Sequence, residues 1–414
     1  MKKWMNRVWK KLGPGLITGS SDDDPSGIAT YSQAGAMFGY ATLWSLFISF
    51  PLMTFIQEMC ARIGLVTETG LTGTLKRYYS KPVLYLMLLF SFPAIVLNIG
   101  ADIAGMGAVG NLIIPQIDAT WFSVVFTILL LIAIIYLPYR KIASVLKYLC
   151  LVLLLYIIVP FLYHQDWKQI TWSTFVPEIE WNKEYIAILV GIFGTTISPY
   201  LFFWQATMEA EELQHRKKHI VVNKRIIHDM KKDVDFGMFF SGVVAWFIML
   251  TTGSVLHQQG ITEIERVDEA AKALEPFAGH SAYLLFAVGI IGTGLLAIPV
   301  LSGSLSYVFC ETFGWKEGLD NKFHEARPFY IIISISLILG LSLNYMGINP
   351  VKALVYSAIL YGITAPVLIA IILHICNNKR IMGRFVNTRL QNFMGILTLV
   401  IMSASALALL WLYR

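Results

Sequence analysis

The segment Ser20–Ala29 reads SSDDDPSGIA and places three consecutive aspartates directly before a Pro-Ser-Gly sequence. Apolar sequence flanks it, with GPGLITG on one side and IATYSQAGAMFGYATLWSLFISF on the other. Carboxylates are energetically costly inside a membrane, so their presence there indicates a functional site. Proline and glycine interrupt a helix, and unwound backbone in a membrane is tolerated only where it lines a cavity or holds an ion. The segment therefore predicts a helix break with a functional role.

A second interruption lies in the other half of the chain, at Gly194–Tyr200, which reads GTTISPY. A proline removes a backbone donor and clashes with the carbonyl four residues before it, so it kinks or opens a helix. The two threonines before it can hydrogen-bond to the freed backbone. Interrupted helices in corresponding positions of two halves indicate a transporter site near the middle of the membrane. Pro199 alone is equally compatible with a plain kink.

The composition of the whole chain is that of a membrane protein. Of its 414 residues, 56% are hydrophobic and 14% are charged, whereas about 25% of the residues of a typical soluble domain are charged. Apolar runs of about 20 residues recur, which is the length that crosses a hydrocarbon core of about 30 Å. The chain is therefore predicted to be an all-α polytopic membrane protein.

The apolar runs predict eleven membrane spans. They lie near residues 13–40, 42–66, 83–112, 119–138, 142–163, 184–210, 235–256, 280–309, 328–346, 351–376 and 391–413. With the N-terminus inside, the inner segments hold 25 of the 32 Lys and Arg residues. This asymmetry follows the positive-inside rule. We expect a cytoplasmic N-terminus and, because the number of spans is odd, a C-terminus outside.

The positions of the two breaks, in spans one and six, predict an internal repeat. We expect a single transmembrane domain over residues 1–414, with one five-span repeat near 13–163, a second near 184–376 and an extra helix near 391–413. The most basic segment, 214–233, is expected to be a cytoplasmic loop that meets anionic lipid rather than nucleic acid. Glu58 and Glu311, near cytoplasmic helix ends, are expected to be solvated or to snorkel toward the membrane surface.

The sequence around the first break resembles that of the NRAMP divalent-metal transporters. The likeness is dense over the first seventy residues, thinner through spans three and six, and limited to layout beyond them. It implies a LeuT-type fold of eleven or twelve helices with an inverted five-plus-five repeat, and a metal site between broken helices one and six. The matching residues are GPG at 13–15, Asp24-Pro25, Gln33 to Ala36, Gly39-Tyr40, Trp44, Gln57, and Ala61 to Thr67.

This sequence departs from the family pattern at the implied metal ligands. The family motif Asp-Pro-Gly-Asn has two ligands, but here Asp24 is kept and Gly27 replaces the asparagine. The span-six motif Ala-x-x-Met-Pro-His corresponds to Thr195, Ser198 and Tyr200, so the methionine sulfur is lost. These departures resemble an NRAMP-related magnesium-transporter branch. The implied metal site is Asp24, Gly27, Thr195 and Ser198.

The chemistry of these residue types favours a hard cation. Carboxylate, hydroxyl, carbonyl and water oxygens suit Mg²⁺, Mn²⁺ and Ca²⁺, whereas a thioether favours softer metals. Small residues at positions 27 and 198 enlarge the predicted site, which suits an ion that keeps several waters, and Mg²⁺ dehydrates reluctantly. We therefore expect transport of Mg²⁺, and also of Mn²⁺, as a partly hydrated ion. The cation is cargo, and no resident cofactor is expected.

Further polar residues could surround the ion or line its path. Asp22 and Asp23 face different directions if they are helical, so at least one is expected in a vestibule. Asp102 remains from the family's Asp-x-x-Glu motif and is either functional or simply hydrogen-bonded. Tyr200 is expected to be a packed phenol rather than a proton donor. Thr364 could bond to site waters or pack at a kink.

Several functional alternatives stay open at this point. The family's Asp-x-x-Glu and histidine positions read Gly105 and Tyr200 here, so proton coupling is not expected. The main alternative is a proton-coupled Mn²⁺/Fe²⁺ symporter of the main NRAMP type. A LeuT-type amino-acid carrier is disfavoured because Asp24 would repel a substrate carboxylate, and an enzyme is not expected because no HExxH motif occurs. The predicted location is the bacterial inner membrane, and the oligomeric state is left open.

Overall fold

The computed structural model describes residues 14–137, 151–162, 165–215 and 222–414. Fourteen helices of eight residues or more make up most of this part of the chain. They are α1 (Pro14–Asp22), α2 (Pro25–Phe38), α3 (Leu43–Thr67), α4 (Leu71–Tyr78), α5 (Lys81–Ile113), α6 (Ala119–Tyr136), α7 (Trp167–Phe175), α8 (Lys183–Thr196), α9 (Pro199–His215), α10 (Lys224–Val255), α11 (Ala282–Phe313), α12 (Arg327–Leu343), α13 (Pro350–Asn377) and α14 (Arg389–Leu412). Short helical turns occur at Leu151–Leu162, Val267–Ser281, Asn344–Met346 and Lys379–Phe385.

Nine helical segments in the described ranges are apolar and long enough to cross a membrane. They correspond to nine of the eleven predicted spans. The first predicted span differs because α1 and α2 are separate helices of 9 and 14 residues, each too short to cross a bilayer alone. The fifth predicted span, 142–163, lies mostly outside the described residues; its described end, Leu151–Leu162, forms helical turns.

The break between α1 and α2 follows from local chemistry. Pro25 occupies the first turn of α2, where its missing N–H costs nothing. Asp24 is the N-cap, with extended backbone (φ −73°, ψ 172°), and its Oδ1 accepts the Gly27 N–H at 2.7 Å. A carboxylate at this position satisfies a free donor and complements the positive end of the helix dipole. The interruption predicted in span one is therefore present, and it is capped.

The break between α8 and α9 is built in a similar way. Helix α8 ends at Thr196, Ile197 leaves helical geometry (φ −111°, ψ 59°), and α9 begins at Pro199. The Ser198 hydroxyl turns back and donates to the carbonyl of Thr195, with the Gly194 carbonyl also within 3.3 Å. Carbonyls that lost their helical partners are satisfied in this way. Pro199 therefore marks a real interruption rather than a plain kink.

Close helix contacts hold the two broken helices in place. A Cβ built on Gly19 of α1 would lie 2.2 Å from the Gly237 carbonyl oxygen of α10, so the two backbones touch. A Cβ on Gly194 of α8 would lie 2.0 Å from the Ala358 carbonyl oxygen of α13. Small residues permit such close packing between membrane helices. Helix α1 therefore packs directly against α10, and α8 packs directly against α13.

The structure differs in part from two expectations about these helix ends. The predicted loop 214–233 is helical from Lys224 onward, as the start of α10, and residues 216–221 lie outside the described ranges. Glu58 is 3% exposed and pairs with Lys231 of that helical extension at 3.0 Å. Glu311 accepts the N–H groups of Gly70 and Gly73 at the start of α4. Tertiary contacts therefore give both carboxylates partners within the protein.

Candidate metal centre

The two helix breaks meet at Gly27. The position that a Cβ of Gly27 would occupy lies 3.1 Å from Thr195 Oγ1, 3.4 Å from the Asp22 carbonyl oxygen and 3.4 Å from Asp24 Oδ1. Three oxygen atoms from both broken helices therefore surround one point. The Tyr200 hydroxyl also joins the two breaks, because it donates to the Ser21 carbonyl at 2.9 Å.

The predicted ligand positions are thus neighbours in space. Asp24, Gly27 and Thr195 share the contacts around Gly27, and Ser198 is hydrogen-bonded to Thr195. All four are at most 3% exposed or lie within the buried part of α2. The C-terminal ends of α1 and α8 direct carbonyl oxygens toward the breaks, as in broken-helix transporters that coordinate cations.

Asp24 is held from a second side by a residue that the sequence did not reveal. Asn98 of α5 is fully buried, and its Nδ2 donates to Asp24 Oδ2 at 2.9 Å. Each carboxylate oxygen of Asp24 therefore accepts one neutral donor, since Oδ1 accepts the Gly27 N–H. The one available signal was an asparagine in an apolar helix, one turn before Asp102.

Asp22 and Asp23 face α10 rather than the point near Gly27. Ser241 Oγ lies 2.6 Å from Asp22 Oδ2 and 3.3 Å from Asp23 Oδ1. Ser241 is a further residue that sequence reasoning missed, because it is one serine in a long apolar helix. The backbone carbonyl of Asp22, in contrast, is part of the oxygen cluster.

The remaining predicted residues have distinct positions. Asp102 is fully buried on α5, four residues after Asn98. The ring of Tyr200 lies against that of Tyr361, with 5.7 Å between centroids. Thr364 donates to carbonyls of its own helix, at Leu360 (3.0 Å) and Tyr361 (3.3 Å), which is the geometry of helix packing.

Four carboxyl groups are buried at this centre without a basic partner. Asp22, Asp23, Asp24 and Asp102 are 0–3% exposed, and among the described residues none of them forms an ion pair with Lys, Arg or His. Buried charges without a compensating partner are strongly unfavourable. The arrangement therefore favours a cation.

Several buried polar atoms at the centre also lack a hydrogen bond of good geometry within the described ranges. They are Asp22 Oδ1, both carboxylate oxygens of Asp102, and the hydroxyls of Tyr31 and Tyr361. Such atoms are costly unless water or an ion satisfies them. The same part of the chain holds no cluster of three or more His, Cys, Asp or Glu side chains that could hold a metal ion. Any cation here would be bound by few side chains together with carbonyl, hydroxyl and water oxygens.

Two interrupted helices that meet at a buried acidic centre within a bundle of apolar helices define a membrane protein of the LeuT-type fold. The model of the family described as "Natural resistance-associated macrophage protein-like" matches residues 15–412. The chain belongs to this family. The resemblance seen in the first seventy residues is therefore confirmed over nearly the whole length.

Individual relatives agree with this assignment. The chain is 25% identical over 401 residues to the "Divalent metal cation transporter MntH" of Caldanaerobacter subterraneus subsp. tengcongensis, covering 95% of this chain and 90% of that protein. The manganese transporter of Eremococcus coleocola has a TM-score of 0.74 at 19% identity, covering 97% of this chain and 86% of that one. MhsT, solved with L-phenylalanine, has a TM-score of 0.59 at 14% identity and 97% coverage of both chains. These two structures share the fold.

Proposed function

We propose that this protein transports divalent metal cations across the membrane, Mg²⁺ first and Mn²⁺ also, as partly hydrated ions and without proton coupling. Asp24 supplies the charge that attracts the ion, and Thr195 and Ser198 supply oxygen atoms from the second break. Gly27 leaves the centre open to these oxygens because it has no side chain. Asp22, Asp23 and Asp102 add negative charge around the path.

The observation that carries this proposal is the set of buried acceptors without partners. Carboxylate oxygens of Asp22 and Asp102 lack hydrogen-bond donors, and no described basic residue compensates the four aspartates. A hydrated divalent cation supplies both missing elements, since the ion brings positive charge and its waters bring donors. An amino-acid zwitterion would bring a carboxylate into a centre that is already negative.

The choice of Mg²⁺ rests on the donor atoms. Thr195, the Asp22 carbonyl and Asp24 present oxygen atoms at the point where the two breaks meet. Ser198, which stands where the family has methionine, offers a hydroxyl oxygen instead of a sulfur. Oxygen donors suit Mg²⁺ and Mn²⁺, and Mg²⁺ typically keeps several of its waters. Few protein ligands and several waters therefore fit this ion.

Apolar surroundings at Gly105 support transport without proton coupling. A Cβ at this position would lie 3.1 Å from Leu354 Cδ1, and the adjoining cavity is lined by residues such as Ala29, Val109 and Phe286. None of the described residues that line it is titratable. A proton relay needs titratable groups in succession. A proton on Asp102 would have no acceptor among the residues that line the cavity beside Gly105.

The same proposal includes location and orientation. The nine apolar helices and the family support an integral membrane protein, and we propose the bacterial inner membrane. The distribution of Lys and Arg supports an N-terminus in the cytoplasm and a C-terminus outside. We further propose that residues 13–163 and 184–376 are two inverted repeats, each beginning with a broken helix, with α14 added at the end.

A second candidate is proton-coupled transport of Mn²⁺ or Fe²⁺. It is favoured by the relatives, which are a divalent metal cation transporter and a manganese transporter. It is also favoured by Asp102, a buried carboxylate with no hydrogen-bond partner among the described residues.

Uptake into proteoliposomes separates the two candidates. Purified protein is reconstituted, an inside-negative potential is imposed, and entry of Mg²⁺, Mn²⁺ and Fe²⁺ is measured together with internal pH. We expect Mg²⁺ and Mn²⁺ to enter without acidification, because the centre has a cation site and no onward proton acceptor. Protein-free liposomes with the same imposed membrane potential are the control. Internal acidification in step with metal entry would establish the symporter instead.

A further inference from the structure

We propose that Asn98 is a positioning residue for cation binding, and that Ser357 and Ser26 orient its amide toward Asp24. The four side chains form a chain of contacts through the centre of the protein. Ser26 Oγ lies 2.7 Å from Ser357 Oγ, Ser357 Oγ lies 2.8 Å from Asn98 Oδ1, and Asn98 Nδ2 lies 2.9 Å from Asp24 Oδ2. All of these residues are at most 2% exposed.

The direction of donation along this chain follows from the number of hydrogens. An amide oxygen can only accept, so the contact between Ser357 and Asn98 Oδ1 requires the serine to donate. The single hydrogen of Ser357 is then used. The Leu354 carbonyl lies 2.6 Å from Ser26 Oγ and 2.7 Å from Ser357 Oγ, so it is the competing acceptor for both serines. In the proposed arrangement Ser357 donates to Asn98, Asn98 donates to Asp24, and Ser26 donates to the Leu354 carbonyl or to Ser357 Oγ.

This chain has two consequences for the carboxylate of Asp24. It favours the amide orientation in which Nδ2 faces Asp24, because a flipped amide would set Asn98 Oδ1 against Asp24 Oδ2 and would lose the hydrogen bond from Ser357 to Oδ1. It also orients the carboxylate with a neutral donor, so the negative charge stays available to a cation. Hydrogen bonds in series strengthen one another in a buried environment. Ser357 on α13 thus acts on the Asp24 carboxylate through Asn98 on α5, and it also contacts Ser26 on α2.

The inference rests on the proposed function, since its readout is the affinity for the transported cation. We expect Asn98→Ala to raise the KM for Mg²⁺ uptake about tenfold, as expected for the loss of a hydrogen bond to a charged group. Vmax should stay within about twofold, because the helix breaks remain. Ser357→Ala should raise KM about threefold, because a neutral hydrogen bond contributes less.

The double variant distinguishes a relay from two independent structural effects. If Ser357 acts through Asn98, Asn98→Ala with Ser357→Ala should show the same KM as Asn98→Ala alone. Independent effects would multiply to about thirtyfold, because distant additive changes sum in free energy. A multiplicative result, or an unchanged KM in both single variants, overturns the proposal. If Asn98→Ala does not fold, an unchanged KM in Ser357→Ala alone overturns it.

Matched controls exist on α5 and α12. Asn111→Ala removes an asparagine from the end of α5 that bonds the Ile117 carbonyl at 2.8 Å, and Ser336→Ala removes a buried serine that bonds its own helix. Neither should change KM. A wild type that carries Mn²⁺ but not Mg²⁺ would refute the proposed ion preference only, and the KM comparison is then made with Mn²⁺.

Discussion

Replacement of Asp24 by alanine is expected to abolish Mg²⁺ flux into proteoliposomes. A carboxylate at about 4 Å from a charge contributes about 4 kcal/mol at the effective dielectric near protein sites, which corresponds to about a thousandfold in affinity. Asp24 is the predicted ligand that meets both breaks, so its charge is not replaced by another side chain there. The measurement is the initial rate of Mg²⁺ entry at a fixed membrane potential.

Asp24 also caps α2, and this role needs its own control. Loss of an N-cap costs about 1 kcal/mol, so Asp24→Asn is included because an amide oxygen can still accept the Gly27 N–H. Asp118→Ala removes an exposed N-cap of α6, which accepts the Thr120 N–H at 2.8 Å, and should transport normally. Asp24→Asn should be folded and inactive. Near-normal uptake by Asp24→Ala would remove Asp24 from the site.

Replacement of Gly194 by alanine is expected to destabilise the folded protein severely. The added Cβ would lie 2.0 Å from the Ala358 carbonyl oxygen and 2.3 Å from the Gly362 nitrogen. Both are backbone atoms of α13, so no side chain can move aside and the helices must separate. Overpacking costs about 3 kcal/mol or more when backbone has to shift. We expect a large fall in melting temperature and in the monodisperse fraction after purification.

A matched variant lies one turn earlier on the same helix. A Cβ on Gly191 would lie 3.3 Å from Thr30 Cγ2 and 3.4 Å from Ile359 Cγ1, and both are side-chain carbons that can shift slightly. Alanine is also the better helix former, by about 1 kcal/mol. Gly191→Ala should therefore purify like the wild type. Equal stability of the two variants would mean that α8 and α13 are not in backbone contact.

The helix breaks were predictable because their signals are local. Pro25 and Pro199 cannot continue a helix wherever the rest of the chain lies, and Asp24 before a proline is a natural N-cap. Span positions were predictable for the same reason, because an apolar run of sufficient length crosses a membrane regardless of its neighbours. The exceptions, such as the helical start of α10 at Lys224, are stabilised by contacts such as that with Glu58.

The partners of the aspartates were not predictable from the sequence. Asn98 is 74 residues from Asp24, and Ser241 is 219 residues from Asp22. Each is a single polar residue in an apolar helix, and no periodicity or spacing connects it to the first break. The sequence also did not determine whether the Thr364 hydroxyl bonds to site waters or to its own helix, and in the structure it donates to its own helix.

The sequence by itself determined that the chain spans a membrane, where two helices break, and that Asp24 stands at one break. These properties depend on residues within one or two helical turns of each other. Only the tertiary structure decided that the breaks meet at Gly27, that Asn98 holds Asp24, and that Asp22 and Asp23 turn toward Ser241. These depend on which helices pack together, and helix packing is set by close backbone approaches such as that of Gly194 with α13.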